Sequence, residues 1–461
     1  MNLTVPAAVA ALESAFLGML RDGPAGFGAF ESGARSVALA CCAEAMSRAL
    51  EARDRELAAS RPAGLRAHSR RPRALATMCG DVRFRRTVLV DAAGLTRYPL
   101  DEELDLPAGD RVSPAARSFL VTCGADVPFA RTAGLMALAG GSAVSATTVM
   151  NSVRSAGEAI AAIERRRARD LFRDGVAPEA DSAAADVLVE ADGTWVRMRD
   201  GSMSEVKAMV AYAGKEGGAR VDPVRLGCVG EAPGDFWEQA VAQVGSRFDL
   251  ARVERVRLGA DGEAQYVNGA ASMPFADVSV SIDPFHVFRA VGRCAPPPMG
   301  SRLVSVLRSE GAEACAGAID ALAGAGRAAA GADRVAAYLR RHAAEIGGGP
   351  SMGTMEAEQQ HMYKVRMGSF PCAWSPGGAD AMARLRSWLG SGFALPPRTR
   401  ESAESPRRRE GRERRLAAHL ARRAGARVQS EGRGWEYPLT ASLEGFRADV
   451  RYEAAGAPLG W

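Results

Sequence analysis

A mixed α/β fold is predicted for this chain of 461 residues. Three observations predict it. Hydrophobic residues make up 47% and charged residues 25%, the balance of a globular protein with a sizeable core. The stretch "VLVEADGTWVRM" alternates like a strand, with Thr194, Val196 and Met198 on one face and Trp195, Arg197 and Arg199 on the other. Long stretches on both sides of it carry apolar residues at helical spacing.

Taken in order, residues 1 to about 70 read as helical through "VPAAVAALESAFLGML" and "ARSVALACCAEAMSRALEARDRELAAS". "RPAGLRAHSRRPRA" reads as a basic linker. "GDVRFRRTVLV" is rich in β formers, and "DAAG" marks a turn, so a small basic hairpin unit is expected there. From Ser113 to about Phe172 the pattern is helical. Within it, "FARTAGLMALAGGSAVSATTVMNSV" has the layout of a helix-turn-helix. Gly140 and Gly141 permit the turn and Ser145 caps the second helix. Thr147, Thr148, Asn151 and Arg154 then face outward as candidate DNA contacts, because a helix entering the major groove needs short polar donors near its N-terminus. A helix pair that only packs a core is the alternative.

Two strands follow, "ADVLVEADGTWVRM" and "EVKAMVAYAG", joined around Gly201. A helix is expected over "GDFWEQAVAQVGSRF", a strand over "VERVRLGADGE", and a strand then a helix over "ADVSVSIDPFHVFRAV". The order β-β-α-β-β-α fits a mixed sheet flanked by helices. Residues 298–347 are helical in composition. "GGGPSMGTMEAEQQHMYKVRMGSFPCAWSPGGADAMARLRSWL" gives a glycine break and two helical stretches, and "WEYPLTASL" is a last strand-like run.

The net charge is +5, yet eleven arginines against four glutamates fall between Arg398 and Arg427. This block, with Arg407, Arg408, Arg409, Arg414 and Arg415, points to an anionic partner or a solvated tail. The eight cysteines form no CxxC pair, which speaks against a zinc ribbon or a disulfide framework. No apolar run reaches membrane-spanning length, and the N-terminus lacks a signal-peptide layout. A cytoplasmic protein without membrane contact is the expectation.

Three acids stand at element ends: Asp192 in the first long strand, Asp261 at the end of a later one, and Glu356 at a helix start. Clustered carboxylates repel unless a cation neutralises them, and oxygen-only ligands select Mg²⁺ or Mn²⁺. Two such ions suit phosphodiester chemistry. Gly193 and Gly262 then read as positions that leave room for a bulky anionic substrate. Spacing alone does not select these three from 54 acidic residues, and Asp235, Asp283, Glu205 and Glu358 compete. His286, three residues after Asp283, orients a phosphate or a water, or packs.

The blocks "GDVRFRRTVLVD", "YPLDEELDLP" and "RVSPAAR", then "ADGTWVRMR" and "SEVKAMVAYAG", then "GADGEAQYV" and "SIDPFHVFRAV", then "GTMEAEQQHMYKVRMGSFPCAWSPGGADAMARLRS" occur in that order. Together, over about residues 80 to 390, they resemble the ISLre-type bacterial insertion-sequence transposases, a DDE-class group catalogued as an uncharacterised protein family. The resemblance implies an RNase H-like catalytic domain holding two divalent ions through Asp192, Asp261 and Glu356. It also implies a helical insertion between the second and third acids, and a functional block around His286. The implied partners are the element's terminal repeats and target DNA, met by a homo-oligomer.

The resulting division is a helical region over 1–75, a hairpin and helix-turn-helix-like region over 76–185, a catalytic domain over 186–395 with an insertion over about 298–347, and a basic segment over 396–461. The second block departs from the family: Ala260 precedes Asp261, Glu263 follows the glycine, and no tryptophan appears. Two alternatives stay open, the first of them resting on those departures. One is a catalytically inactive DNA-binding remnant or repressor. The other is a nuclease without strand transfer.

Overall fold

The computed structural model describes residues 5–260, 262–282, 284–346, 355–368, 372–400, 411 and 413–422. The last strand-like run, "WEYPLTASL", lies outside them. The chain opens with helices α1 (Val5–Arg21) and α2 (Phe27–Ala59), then strands β1 (Arg66–Thr77), β2 (Gly80–Val90) and β3 (Thr96–Arg97). Helices α3 (Pro99–Glu103), α4 (Pro114–Asp126), α5 (Phe129–Gly140) and α6 (Ala146–Asp174) follow. Next come β4 (Asp186–Arg197), β5 (Met203–Tyr212), β6 (Gly214–Glu216), β7 (Ala219–Val221), β8 (Val224–Val229) and α7 (Pro233–Gly245). Then come β9 (Arg255–Ala260), α8 (Ala264–Val267), β10 (Asp277–Ile282), α9 (Pro284–Gly292), α10 (Met299–Gly324) and α11 (Ala332–Arg341). Helix α12 (Met355–Gln359) runs into a π-helical segment, Gln360–Gly368, and α13 (Pro376–Gly390) closes the larger unit. A further helix covers 413–422.

The chain divides into two units, one over 1–116, 136–143 and 397–461, the other over 117–135 and 144–396. In the first, β1, β2 and β3 form an antiparallel sheet. The expected linker is therefore strand β1, paired with β2 from Arg66 to Thr77. Its arginines and Pro72 look like loop, but Leu75 and Thr77 alternate inward with a buried Arg73. Among the described residues the β1 edge away from β2 pairs with another segment at Ala76 alone, so the missing N–H of Pro72 breaks no ladder.

Side chains of α2 close the far edge of β2. Ser47 Oγ, Glu51 Oε1 and Asp54 Oδ1 accept from the backbone N–H groups of Arg83, Arg85 and Thr87 at 3.2, 2.8 and 2.8 Å. Helical spacing on α2 thus matches the two-residue repeat of β2 N–H groups, an edge protected by a helix. The apolar side packs Leu75, Val82 and Phe84 with Ala43, Leu100 and Leu106.

The second unit is built on a five-stranded sheet in the order β10-β9-β4-β5-β8. Strand β4 is central, antiparallel to β5 and parallel to β9; β8 is antiparallel to β5, and β10 is parallel to β9. Strand β8 was absent from the sequence reading: "VRLGCV" is short and follows Asp-Pro. Helix α7 covers one face, where Val189, Ala191, Met209 and Leu258 meet Phe236, Trp237 and Val241. On the other face, a Cβ on Gly227 would lie 2.3 Å from the Tyr363 hydroxyl, and a Cβ on Gly157 of α6 would lie 2.3 Å from the Ala381 carbonyl of α13. These glycines let the π-helical segment and α13 approach closely.

The stretch after α9 that reads as helical in composition holds helices α10 and α11. Helices α10, interrupted at Gly311 (φ 86°), and α11 share a core with α9 through Val291, Leu303, Cys315 and Leu339. Among the described residues no helix is long and apolar enough to cross a membrane.

Candidate active site

The alternation of β4 is the one read from the sequence. Thr194, Val196 and Met198 are buried, while Trp195, Arg197 and Arg199 are exposed. Asp192 sits just ahead of this run, partly buried, and its Oδ1 accepts the N–H of Gly193 at 2.7 Å. The parallel register with β9 pairs Ala191 with Ala260. Asp261 is the next residue after Ala260 and lies outside the described residues, as does Asp283.

Gly193 is not open space for a substrate. A Cβ there would lie 2.0 Å from Glu205 Oε1 and 2.8 Å from the Tyr266 hydroxyl. Glu205, on β5 opposite Trp195, accepts from that hydroxyl at 2.6 Å and from Gln265 Nε2 at 3.0 Å, with Lys207 Nζ 3.8 Å away. Gln265 also donates to Glu263 at 2.9 Å, and its carbonyl accepts from Trp237 Nε1 at 2.8 Å. Burial, the hydrogen bond to Glu205, and the charges of Glu205, Asp192 and Glu263 hold the Tyr266 phenol well above its ordinary pKa. Tyr266 is thus a neutral donor that fixes Glu205 over the glycine.

Gly262 is likewise filled rather than open. Its φ is +96°, and a Cβ there would lie 1.7 Å from the Tyr338 hydroxyl of α11. Gly262 is therefore seated against α11. Both glycines answer a close approach by the chain's own side chains.

Helix α12 reaches β4 through Gln359, whose Nε2 donates to the Gly193 carbonyl at 3.0 Å. Glu356, one turn earlier on α12, is exposed. Its competitor Glu358 is buried between Arg220, at 2.5 Å, and Arg225. Two guanidinium partners commit Glu358 to the scaffold. Asp235 is exposed at the start of α7. His286 is exposed in the first turn of α9. Among the described residues no group of three or more His, Cys, Asp or Glu is placed to hold a metal ion. The described part of the expected ligand set is Asp192 with Glu356 on a helix tied to the same strand. Both are carboxylates, a donor chemistry that suits a hard divalent cation.

The candidate DNA contacts fall on α6 and beyond. Gly141 has φ +70°, and Ser145 caps α6 by accepting the Thr148 N–H at 3.1 Å. Thr147, Asn151 and Arg154 are exposed; Thr148 is partly buried, its hydroxyl 3.0 Å from Ser145 Oγ. Arg154 pairs with Glu158 at 2.8 Å. Beyond its first turns α6 is a packing helix that buries Val153, Ile160 and Ala168. Arg407, Arg408 and Arg409 lie outside the described residues, and Arg414 and Arg415 are exposed on the 413–422 helix.

The sequence reading missed Tyr266, Gln265 and Gln359, and named Glu205 only as a competitor. The one available signal was a glycine in mid-strand, which marks a close approach without saying by what. No curated protein matches the sequence. A family model does match residues 27–341, more than half of the chain, and on that match the chain belongs to the uncharacterised protein family UPF0236.

Proposed function

We propose that this chain is a DDE-type DNA transposase that cuts DNA at the ends of a mobile element and joins them to target DNA. One observation carries the reading. Asp192 and Asp261 each follow one member of a single register pair, Ala191 and Ala260, on adjacent parallel strands. The two acids are 69 residues apart in the chain, and the residues just before them are register partners on adjacent parallel strands. The tie from Gln359 to Gly193 supports Glu356 as the third acid. The sheet order supports an RNase H-like domain: the first strand is central, two antiparallel strands lie on one side and two parallel strands on the other.

Asp192, Asp261 and Glu356 would hold two Mg²⁺ or Mn²⁺ ions, which when bound neutralise phosphate charge and lower the pKa of the attacking water. The chain's own contribution is rigidity. Asp192 stands on a central strand, and Glu205, Tyr266 and Gln359 lock the residue after it. Water opens a phosphodiester and frees a 3′-hydroxyl, which attacks a phosphodiester of the target. Thr147, Asn151 and Arg154 at the start of α6 and the arginines after 397 bind DNA, and a homo-oligomer brings two ends together.

The test is excision and reinsertion of a marker flanked by the DNA that borders this coding sequence. The wild-type chain moves the marker and Asp192→Asn does not. Movement by Asp192→Asn overturns the assignment. Cutting without joining by the wild-type chain favours a nuclease instead.

A further inference from the structure

The N-terminal unit carries a cationic groove that the proposed chemistry does not use. Residues 66–90 hold seven arginines against one aspartate. Register pairs Pro72 with Arg85 and Ala74 with Arg83, so these four share one face of the β1–β2 ribbon, and all four are exposed. Over that face lies a groove of about 580 Å³, bounded by Glu51 on one side and by Arg111 on the other. Pro72 and Ala74 make a shallow floor without charge.

The two acids at the groove are already engaged. Glu51 accepts the Arg85 N–H at 2.8 Å and lies 3.6 Å from Arg70. Asp110 binds Arg398 Nε at 3.0 Å. Arg70 and Arg85 lie flat along the ribbon, each donating to the other's carbonyl, at 2.8 and 3.2 Å.

On the opposite face, one buried carboxylate, Asp101, serves two guanidinium groups, Arg73 at 2.7 Å and Arg86. The Arg73 side chain is 5% exposed, and neither Arg73 Nε nor Arg86 Nε has a hydrogen-bond partner among the described residues. Burial and the neighbouring Arg73 lower the Arg86 pKa to about 10. Arg71 stands directly across from Arg86, a second positive charge beside the guanidinium that Asp101 already serves. Both faces of the ribbon therefore hold positive charge in excess of their acids.

We infer that the groove over β1 and β2 binds the phosphate backbone of duplex DNA without reading sequence. Arg83 and Arg85 are two residues apart on one strand face, about 6.8 Å. That spacing presents separate guanidinium groups to successive charges of a polyanion rather than to one small anion. The inference rests on the chain acting on DNA and not on the catalytic acids.

The test measures binding of the full chain to a short duplex of arbitrary sequence across a salt series. The triple variant Arg83→Gln, Arg85→Gln, Arg111→Gln is compared with a control of equal charge loss on the exposed residues Arg327, Arg334 and Arg341. The groove variant flattens the slope of log K against log salt by about 2 to 3, near 0.9 for each phosphate it no longer neutralises. The control keeps the wild-type slope. An unchanged slope in the groove variant overturns the inference, as does an equal loss in the control. A groove variant that loses inorganic phosphate but keeps the DNA slope also overturns it, in favour of a small-anion site. Such failures leave the catalytic reading standing, whereas transposition by Asp192→Asn removes that reading and leaves the groove.

Discussion

Replacing Gly193 by alanine tests whether the glycine is there for the substrate or for Glu205. The added Cβ would lie 2.0 Å from Glu205 Oε1 and 2.8 Å from the Tyr266 hydroxyl. Strand β4 is central, with ladders to β5 and β9, so the backbone cannot retreat. Glu205 must therefore leave Tyr266 and Gln265, or the strand must buckle. Leaving breaks a hydrogen bond to a charged group and strands a buried hydroxyl, each worth about 1–3 kcal/mol. Overpacking costs about 1–3 kcal/mol on its own.

A loss of about 3 kcal/mol follows for Gly193→Ala, or roughly 6–12 °C in Tm for a unit of this size. Urea unfolding followed by tryptophan fluorescence measures it. Adding Glu205→Ala should recover part of the loss, with a coupling of about 1–2 kcal/mol between the two sites. A Gly193→Ala protein within about 0.5 kcal/mol of wild type would refute the packing argument and restore the glycine to the substrate.

Three other outcomes follow from buried or capped groups. Arg384 is fully buried and binds Asp380 at 2.9 Å, Glu231 at 2.5 Å and Glu164; Arg384→Met leaves the buried Glu164 without its guanidinium partner, while Glu231 keeps Arg165 at 2.7 Å, and should cost about 3–5 kcal/mol in denaturant unfolding. Glu164 is raised to about 7 by burial, which outweighs the single Arg384 charge shared among those acids. A carboxyl raised on folding stabilises most below its unfolded value and loses that contribution as pH rises from about 4.5 to about 7. Glu164→Gln should flatten the fall in stability across that window. Ser145→Ala removes the α6 cap at a cost of about 1 kcal/mol, read as faster hydrogen exchange at the Thr148 amide.

Much of the second unit was legible because β4 is half-buried and alternates strictly. Trp195 and Arg197 point out and Thr194 and Val196 point in, as period two requires. What failed was strand in the guise of loop. In β1 a proline and four arginines concealed a ladder, since Arg73 is buried against Asp101, 28 residues away, and the Pro107 carbonyl. In β8, Gly227 weakens the strand pattern and is explained by the close approach of the Tyr363 and Ser387 hydroxyls.

The candidate site was legible at Asp192, where an acid interrupts an apolar run. The exposure of Glu356 and the burial of Glu358 were not, because two residues on one helical turn are told apart by arginines on β7 and β8. Nor was Glu205, whose function of covering Gly193 depends on a cross-strand diagonal.

The central claim is that Asp192, Asp261 and Glu356 are ligands of one divalent-ion site while Glu358 belongs to the scaffold. Mn²⁺ binding to the full chain, followed by calorimetry, tests it most directly. Asp192→Asn, Asp261→Asn and Glu356→Gln should each weaken binding at least tenfold, a loss of about 1.4 kcal/mol or more. Glu358→Gln should leave Mn²⁺ affinity at the wild-type value and lower only stability. Wild-type Mn²⁺ affinity in Asp192→Asn, or loss of binding in Glu358→Gln but not in Glu356→Gln, would contradict the account.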